Sequence, residues 1–259
     1  MSDHPQPVVV NAPGFLFLHF SDDNFQSLMR KSRPYRLELG YTRTMMGFLL
    51  FNPQPQHIAM IGLGGGSLPK HCYRHMQQAR ITVVEINPEV IALRTQFCLP
   101  PDNERFSVVC GDGAEFVAGQ GNALDVLLID GFGAQGQVPQ LCSQQFYDDC
   151  HAALRNDGVL VINVLGADTA LETYLDRLHL RFGEAVGVVP SEDCGNRIVF
   201  AHKRGASGLS ESVLAERAAS LGAYHGLRFA PVVEQLLRGY GQVFSSASNS
   251  SAGTGLEYK

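Results

Sequence analysis

The sequence predicts an α/β protein: a doubly wound, Rossmann-like sheet preceded by an N-terminal β-hairpin and followed by C-terminal helices. Three observations carry that expectation. From Ile58 onward, short apolar runs alternate with segments of helical spacing, as crossover-connected parallel strands require. A glycine cluster, Gly62-Leu-Gly-Gly-Gly66, joins the first run to a helix-like segment. Carboxylates stand after three of four successive strands, at Glu85, Asp112 and Asp130.

Taken in order, residues 1–13 are polar with prolines at 5, 7 and 13 and are expected to form a loose lead-in. Phe15–Phe20 and Tyr35–Leu39 read as strands separated by a polar loop, and so as a hairpin or small sheet. Tyr41–Phe51 has helical spacing and stops before Pro53. Ile58–Ile61 is the first strand of the main unit, and Ser67 opens a helix that tolerates Pro69 in its first turn. Ile81–Glu85 is the second strand, with a helix from Asn87-Pro88 to about Phe97. Phe106–Cys110 leads through Gly111-Asp112-Gly113 to a short helix around Glu115–Ala118. Leu124–Asp130 is apolar enough for burial on both faces, and a glycine-rich loop follows it before a helix at Ser143–Leu154. Val159–Asn163 is the fifth strand and Asp168–Phe182 a long helix. Glu184–Val189 and Asn196–His202 are closing strands suited to an antiparallel edge. Helices at Ser210–Leu221 and Ala230–Arg238 complete the pattern. The expected organisation is thus a hairpin or small sheet with a linking helix over 1–52, a nucleotide-binding unit over 53–204, helices over 205–244 and a flexible tail over 245–259, which is rich in Ser, Gly, Asn and Ala.

Composition narrows the function classes. The net charge of −5 does not suit a general nucleic-acid binder. No apolar run approaches the ~18 residues of a membrane span, and no export signal opens the chain, so a cytoplasmic protein is expected. The six cysteines form no Cys-x-x-Cys pair and are expected to be reduced and mostly buried. His71, Cys72 and His75 share a helical turn but lack a further ligand of matching spacing, so no metal is expected.

The nucleotide unit says more. Gly62 and Gly64 can adopt backbone angles closed to other residues and let a ligand approach the main chain. Glu85 lies 23 residues after Gly62 (85 − 62), near the ~20 expected of a carboxylate that binds a ribose diol. Asp112, flanked by Gly111 and Gly113, suits an adenine amino group, and Asp130 would face the reacting end of the ligand. Three converging carboxylates would repel a pyrophosphate but suit an adenosyl group bearing a positive sulfonium. A dinucleotide enzyme fits less well, because no Tyr-x-x-x-Lys pattern accompanies the glycines.

The motifs Ile61–Ser67 (IGLGGGS), Val83–Ile91 (VVEINPEVI), Gly111–Val117 (GDGAEFV), Asp125–Phe132 (DVLLIDGF), Gln145–Tyr147 and Leu154–Val161 resemble the spermidine/spermine synthase family, the polyamine aminopropyltransferases. That family lies within the class I S-adenosylmethionine-dependent methyltransferase-like superfamily, and the resemblance spans about residues 15–202. It implies a transferase that takes decarboxylated S-adenosylmethionine or S-adenosylmethionine as co-substrate, uses no metal and alkylates a small amine. It also implies that Gly62, Gly64, Glu85, Asp112 and Gly113 hold the donor, while Asp130 and Tyr41 carry the reaction. A homodimer joined by the C-terminal helices is compatible with it.

Three positions depart from the family pattern. Gly65 and Gly133 stand where polyamine-making members carry aspartates, and Arg43 stands where they carry a glutamate. A desolvated diamine needs anionic or accepting partners at both ends, so the expected acceptor differs from putrescine. Arg43 would suit the carboxylate of intact S-adenosylmethionine or an acidic acceptor. A methyltransferase and a non-catalytic adenosyl-binding protein are the competing expectations.

Overall fold

A computed structural model describes residues 4–21, 24–133, 136–193, 195–204 and 209–239. The predicted tail, 245–259, and Cys194 lie outside the described residues.

The first element corrects the predicted lead-in. Val8–Ala12 (β1) pairs antiparallel with Phe15–Ser21 (β2), which pairs antiparallel with Asn24–Arg30 (β3), giving the small sheet that is one of the two expected N-terminal forms, built from different strands. The second predicted hairpin strand, Tyr35–Leu39, is irregular chain. Its alternation is overridden because Ser27 and Met29, on one face of β3, bury themselves at 4% and 3% exposure, where Met29 packs with Leu16, Leu18 and Phe97. Two short helices follow, Gly40–Met45 (α1) and Phe48–Phe51 (α2), in place of one continuous helix.

The main unit runs His57–Ile61 (β4), Ser67–His75 (α3), Arg80–Glu85 (β5), Pro88–Ala92 (α4), Phe106–Cys110 (β6), Gly113–Ala118 (α5) and Leu124–Ile129 (β7). A minimal ribbon, Phe132–Gly133 (β8) with Gly136–Gln137 (β9), precedes Gln144–Ala153 (α6), Leu154–Val164 (β10) and Leu171–Phe182 (α7). Val186–Pro190 (β11), Arg197–His202 (β12), Glu211–His225 (α8) and Ala230–Gly239 (α9) close it. Helix α4 stops at Ala92, short of the predicted Phe97, and α7 begins three residues later than predicted.

The seven-stranded sheet has the order β11-β12-β10-β7-β4-β5-β6. β10, β7, β4, β5 and β6 are parallel, and β12 and β11 add the predicted antiparallel edge. The chain winds outward from β4 through β5 to β6, then returns to the other side of β4 for β7. That reversal puts the switch point, where ligands of open α/β sheets bind, between the carboxyl ends of β4 and β7.

Alternation along the strands feeds two cores. Ile58, Met60, Val126, Leu128, Val159, Val161, Ile198 and Phe200 face α2, α3, α8 and α9, whereas Ala59, Ile61, Leu127, Ile129, Leu160 and Ile162 face α5, α6 and α7. The N-terminal sheet is fastened to this body by Lys70 of α3. Its buried ammonium donates to the Phe97 carbonyl at 2.7 Å and lies 3.3 Å from the Met29 sulfur, and burial pushes it down to about 8. His71 and His75 of α3 stack with each other and against His225 of α8. Burial pushes His71 down to about 3 and His225 to about 4, so both pack as neutral rings. Among the described residues, no group of three or more His, Cys, Asp or Glu side chains is arranged to hold a metal, and no helix is long and apolar enough to cross a membrane. Among the described residues, Cys72, Cys142 and Cys150 are buried free thiols, and Cys98 and Cys110 are exposed free thiols.

Candidate active site

The switch point gathers the predicted site from separate elements. The Gly62 N–H donates to the Val84 carbonyl at 2.8 Å, and the Asp130 N–H donates to the Ile61 carbonyl at 2.8 Å, so the first loop lies directly on the end of β7. Gly62 has φ +97°, and a Cβ there would fall 2.4 Å from the Asp130 carbonyl oxygen. Only glycine permits that approach. Gly113 is required for a different reason: a Cβ would meet the Ile61 side chain at 2.3 Å, so its absence lets α5 start close against β4. Gly64 also lies in the left-handed region, at φ +50°.

Glu85 closes β5, and its carboxylate accepts from the Leu63 N–H at 2.8 Å and the Asn87 N–H at 2.9 Å. It thereby ties the glycine loop to the start of α4 and presents anionic oxygens at the strand end. Beside it Ile86 is 48% exposed, an apolar surface suited to a nucleobase. Asp112 is the N-cap of α5, with Oδ1 accepting from the N–H groups of Ala114 (2.6 Å) and Glu115 (3.3 Å). The capping role leaves Oδ2 open to a ligand, since it has no hydrogen-bond donor among the described residues. With strands about 4.8 Å apart, Glu85 and Asp112 stand on the order of 10 and 15 Å along the sheet edge from Asp130, roughly the reach of an adenosyl group.

Asp130 stands at the carboxyl end of β7, beside the switch point. Its Oδ1 accepts from the Asn163 side-chain amide at 2.8 Å, and its Oδ2 accepts from the Tyr41 hydroxyl at 3.3 Å. Burial raises its carboxyl from 3.8 to about 6, and the Asn163 and Tyr41 hydrogen bonds hold it from rising further. A carboxylate poised there is ionised at neutral pH yet able to take a proton.

Arg43 does not join this centre, contrary to its expected role as partner of a ligand carboxylate. Tyr41 and Arg43 lie about 200° apart around α1. The guanidinium instead donates to Glu192 at 2.8 Å, to Asp193 at 3.2 Å and to the carbonyls of Leu37 and Glu38. Its charge is answered within the chain, as are those of the two acids. Gly65 faces away as well: a Cβ there would lie 2.5 Å from the Ser27 Oγ and 2.8 Å from the Phe97 ring, so the N-terminal sheet fills the space of the missing aspartate. Gly133 sits in β8, paired with Gly136.

Three contributors escaped the sequence reading. Ile86 had a usable signal, an apolar residue directly after a strand-end acid. Asn163 had a weaker one, a polar residue near the carboxyl end of the strand next to β7. Asn196, whose amide donates to Asn163 Oδ1 at 2.9 Å, had none.

Comparison with known proteins shows the family. The spermine/spermidine synthase domain model matches residues 38–177, which hold every predicted site residue. The polyamine aminopropyltransferase of Neisseria meningitidis serogroup A is 38% identical over 214 residues, covering 82% of this chain and 81% of the relative. Among solved structures, a probable spermidine synthase from Corynebacterium glutamicum shares the fold at TM-score 0.67 and 17% identity, covering 86% of this chain and 91% of that one. Human methyltransferase-like protein 13, solved in complex with SAH, superposes at TM-score 0.66 with 26% identity, covering 72% of this chain and 92% of its own. With an acid at each of three strand ends, a glycine-bound switch point and a matched domain spanning them all, this chain belongs to the spermine/spermidine synthase family.

Proposed function

We propose that the protein transfers the aminopropyl group of decarboxylated S-adenosylmethionine to a small primary amine in the cytoplasm, with Asp130 as base. The observation that carries this reading is Asp130 itself, a half-buried carboxylate raised to about 6 and gripped by Tyr41 and Asn163 at the switch point. The amine lone pair attacks the propyl carbon bonded to sulfur. The C–S bond breaks with its electron pair passing to sulfur, which leaves as the neutral thioether of methylthioadenosine. The nitrogen loses its proton to Asp130. Displacement beside a sulfonium needs mainly alignment, and Tyr41 and Asp130 supply the fixed end of that line. Glu85 accepts the ribose hydroxyls, Asp112 the adenine amino group, and Gly62, Gly64 and Gly113 keep the backbone low enough for the nucleoside to lie over it.

The acceptor is an amine whose far end requires no carboxylate at position 65 or 133. Glu192 and Asp193 do not replace those acids, because both are bound to Arg43. Incubation with decarboxylated S-adenosylmethionine and a panel of mono- and diamines, read by mass spectrometry, should give methylthioadenosine and an aminopropylated product from an amine other than putrescine. Formation of S-adenosylhomocysteine from S-adenosylmethionine, with no methylthioadenosine from any amine, would make it a methyltransferase instead.

Glu85→Gln tests the donor side separately. It removes an anionic acceptor of the ribose hydroxyls, and calorimetry should show donor binding weakened about tenfold, the worth of one charge-assisted hydrogen bond. Turnover at saturating donor should stay close to wild type. Unchanged affinity would remove Glu85 from the donor site.

A further inference from the structure

The tip of the β11–β12 hairpin lies outside the matched domain, yet it binds Asn163, which holds Asp130, and Gly40, which precedes Tyr41. One arm is Asn196, 9% exposed, whose amide nitrogen donates to Oδ1 of Asn163, itself 1% exposed. An amide can present either its donor or its acceptor to a neighbour. With its oxygen occupied by Asn196, Asn163 must turn its nitrogen toward Asp130, as a carboxylate requires. The other arm is Asp193, whose two carboxylate oxygens accept from the Gly40 N–H at 2.9 and 3.0 Å. Gly40 opens α1 and precedes Tyr41. Asp193 also accepts from Arg43, two residues beyond Tyr41.

The seat of the tip is built for close approach. A Cβ at Gly166, just past β10, would fall 2.0 Å from the Gly195 carbonyl oxygen, so only glycine lets the tip lie this near. Gly195 has φ +73°, and the Ser191 N–H closes the hairpin onto the Asn196 carbonyl at 2.9 Å.

We infer that this hairpin tip is a positioning element for the reaction, with Asn196 fixing the polarity of the Asn163 amide against Asp130 and Asp193 fixing the start of the helix that carries Tyr41. The inference rests on the reading of Asp130 as the base. Three influences set the titration of Asp130: burial raises it, while the Asn163 amide from β10 and the Tyr41 hydroxyl from α1 lower it. Loss of the correctly turned amide therefore removes a lowering influence, and the base needs a higher pH to ionise.

The test compares Asn196→Leu, which lacks the donor, with Asn196→Asp, which offers only acceptors and favours the reversed Asn163 amide. In both, the acidic limb of the kcat–pH profile should move upward by about one unit, with at least as large a shift in Asn196→Asp. Donor affinity should change less than twofold. Gly166→Ala lifts the tip without altering any hydrogen-bonding side chain and should move the limb in the same direction, which provides the readout if an Asn196 variant does not fold. A merely structural tip would lower the melting temperature of the folded variants and leave the limb in place, and that result would overturn the inference. Asp130→Asn separates the two failures: retained turnover there would overturn the base assignment itself, whereas an inactive Asp130→Asn with an unmoved limb overturns only the role of the tip.

Discussion

Asp130→Asn should cost about a thousandfold in kcat while leaving the protein folded and more stable at neutral pH. The catalytic loss follows from removing the group that accepts the proton of the attacking amine, a role worth roughly 10²–10⁴ in rate. The stability gain follows from linkage. Burial raises the Asp130 carboxyl from 3.8 to about 6, so the folded state binds this proton more tightly than the unfolded chain. The stabilisation that protonation provides is complete below the unfolded value and is lost as pH rises through about 6. At neutral pH the wild type therefore carries the cost of a buried anion that the amide avoids, at most about 3 kcal/mol for a shift of about two units. Rapid-quench turnover and melting curves at acidic and neutral pH would check both parts. Turnover within a few fold of wild type would remove Asp130 from the mechanism, and a stability gain that did not shrink on acidification would show that its charge is not the cause. In the wild type, the same value places the acidic limb of activity near pH 6.

Gly65→Asp, which restores the acid of the family pattern, should destabilise the protein and gain no activity toward putrescine. A Cβ at this position would stand 2.5 Å from Ser27 Oγ and 2.8 Å from the Phe97 ring. Ser27 is 4% exposed and Phe97 1%, so neither has free space to retreat into. Moving Phe97 would also disturb its carbonyl, which holds the Lys70 ammonium. Overpacking of this kind costs about 1–3 kcal/mol, before the desolvation of a carboxylate is added. Thermal melting and a putrescine assay with the decarboxylated donor would decide it. A variant as stable as wild type that makes spermidine would show that the loop retains room for the acid and that the acceptor site differs by one side chain.

The two variants probe opposite sides of what was readable. The donor half of the site was legible because parallel strands deliver all their carboxyl ends to one edge. Once β4, β5, β6 and β7 are recognised from apolar runs, Gly62, Glu85, Asp112 and Asp130 must share that edge whatever the rest of the chain does. The same locality explains the accurate helix starts: Ser143 caps α6 by accepting from the Phe146 N–H, and left-handed Gly66 ends the glycine loop where α3 begins. It also explains the misreading of Tyr35–Leu39. Alternation there is stronger than in Asn24–Arg30, and the choice between them depended on which face could bury itself against Leu16, Leu18 and Phe97.

By itself, then, the sequence determined the doubly wound sheet and the gathering of Gly62, Glu85, Asp112 and Asp130 along one edge of it. Both follow from periodicity and turn chemistry acting over a few residues. Only the tertiary structure decided that Arg43 is bound to Glu192 and Asp193, that β3 occupies the space beside Gly65, and that Asn196 sets the amide facing Asp130. Those contacts join residues from about 30 to 150 positions apart. They arise where faces already formed are pressed together, and no local pattern encodes which polar groups that packing brings within reach of one another.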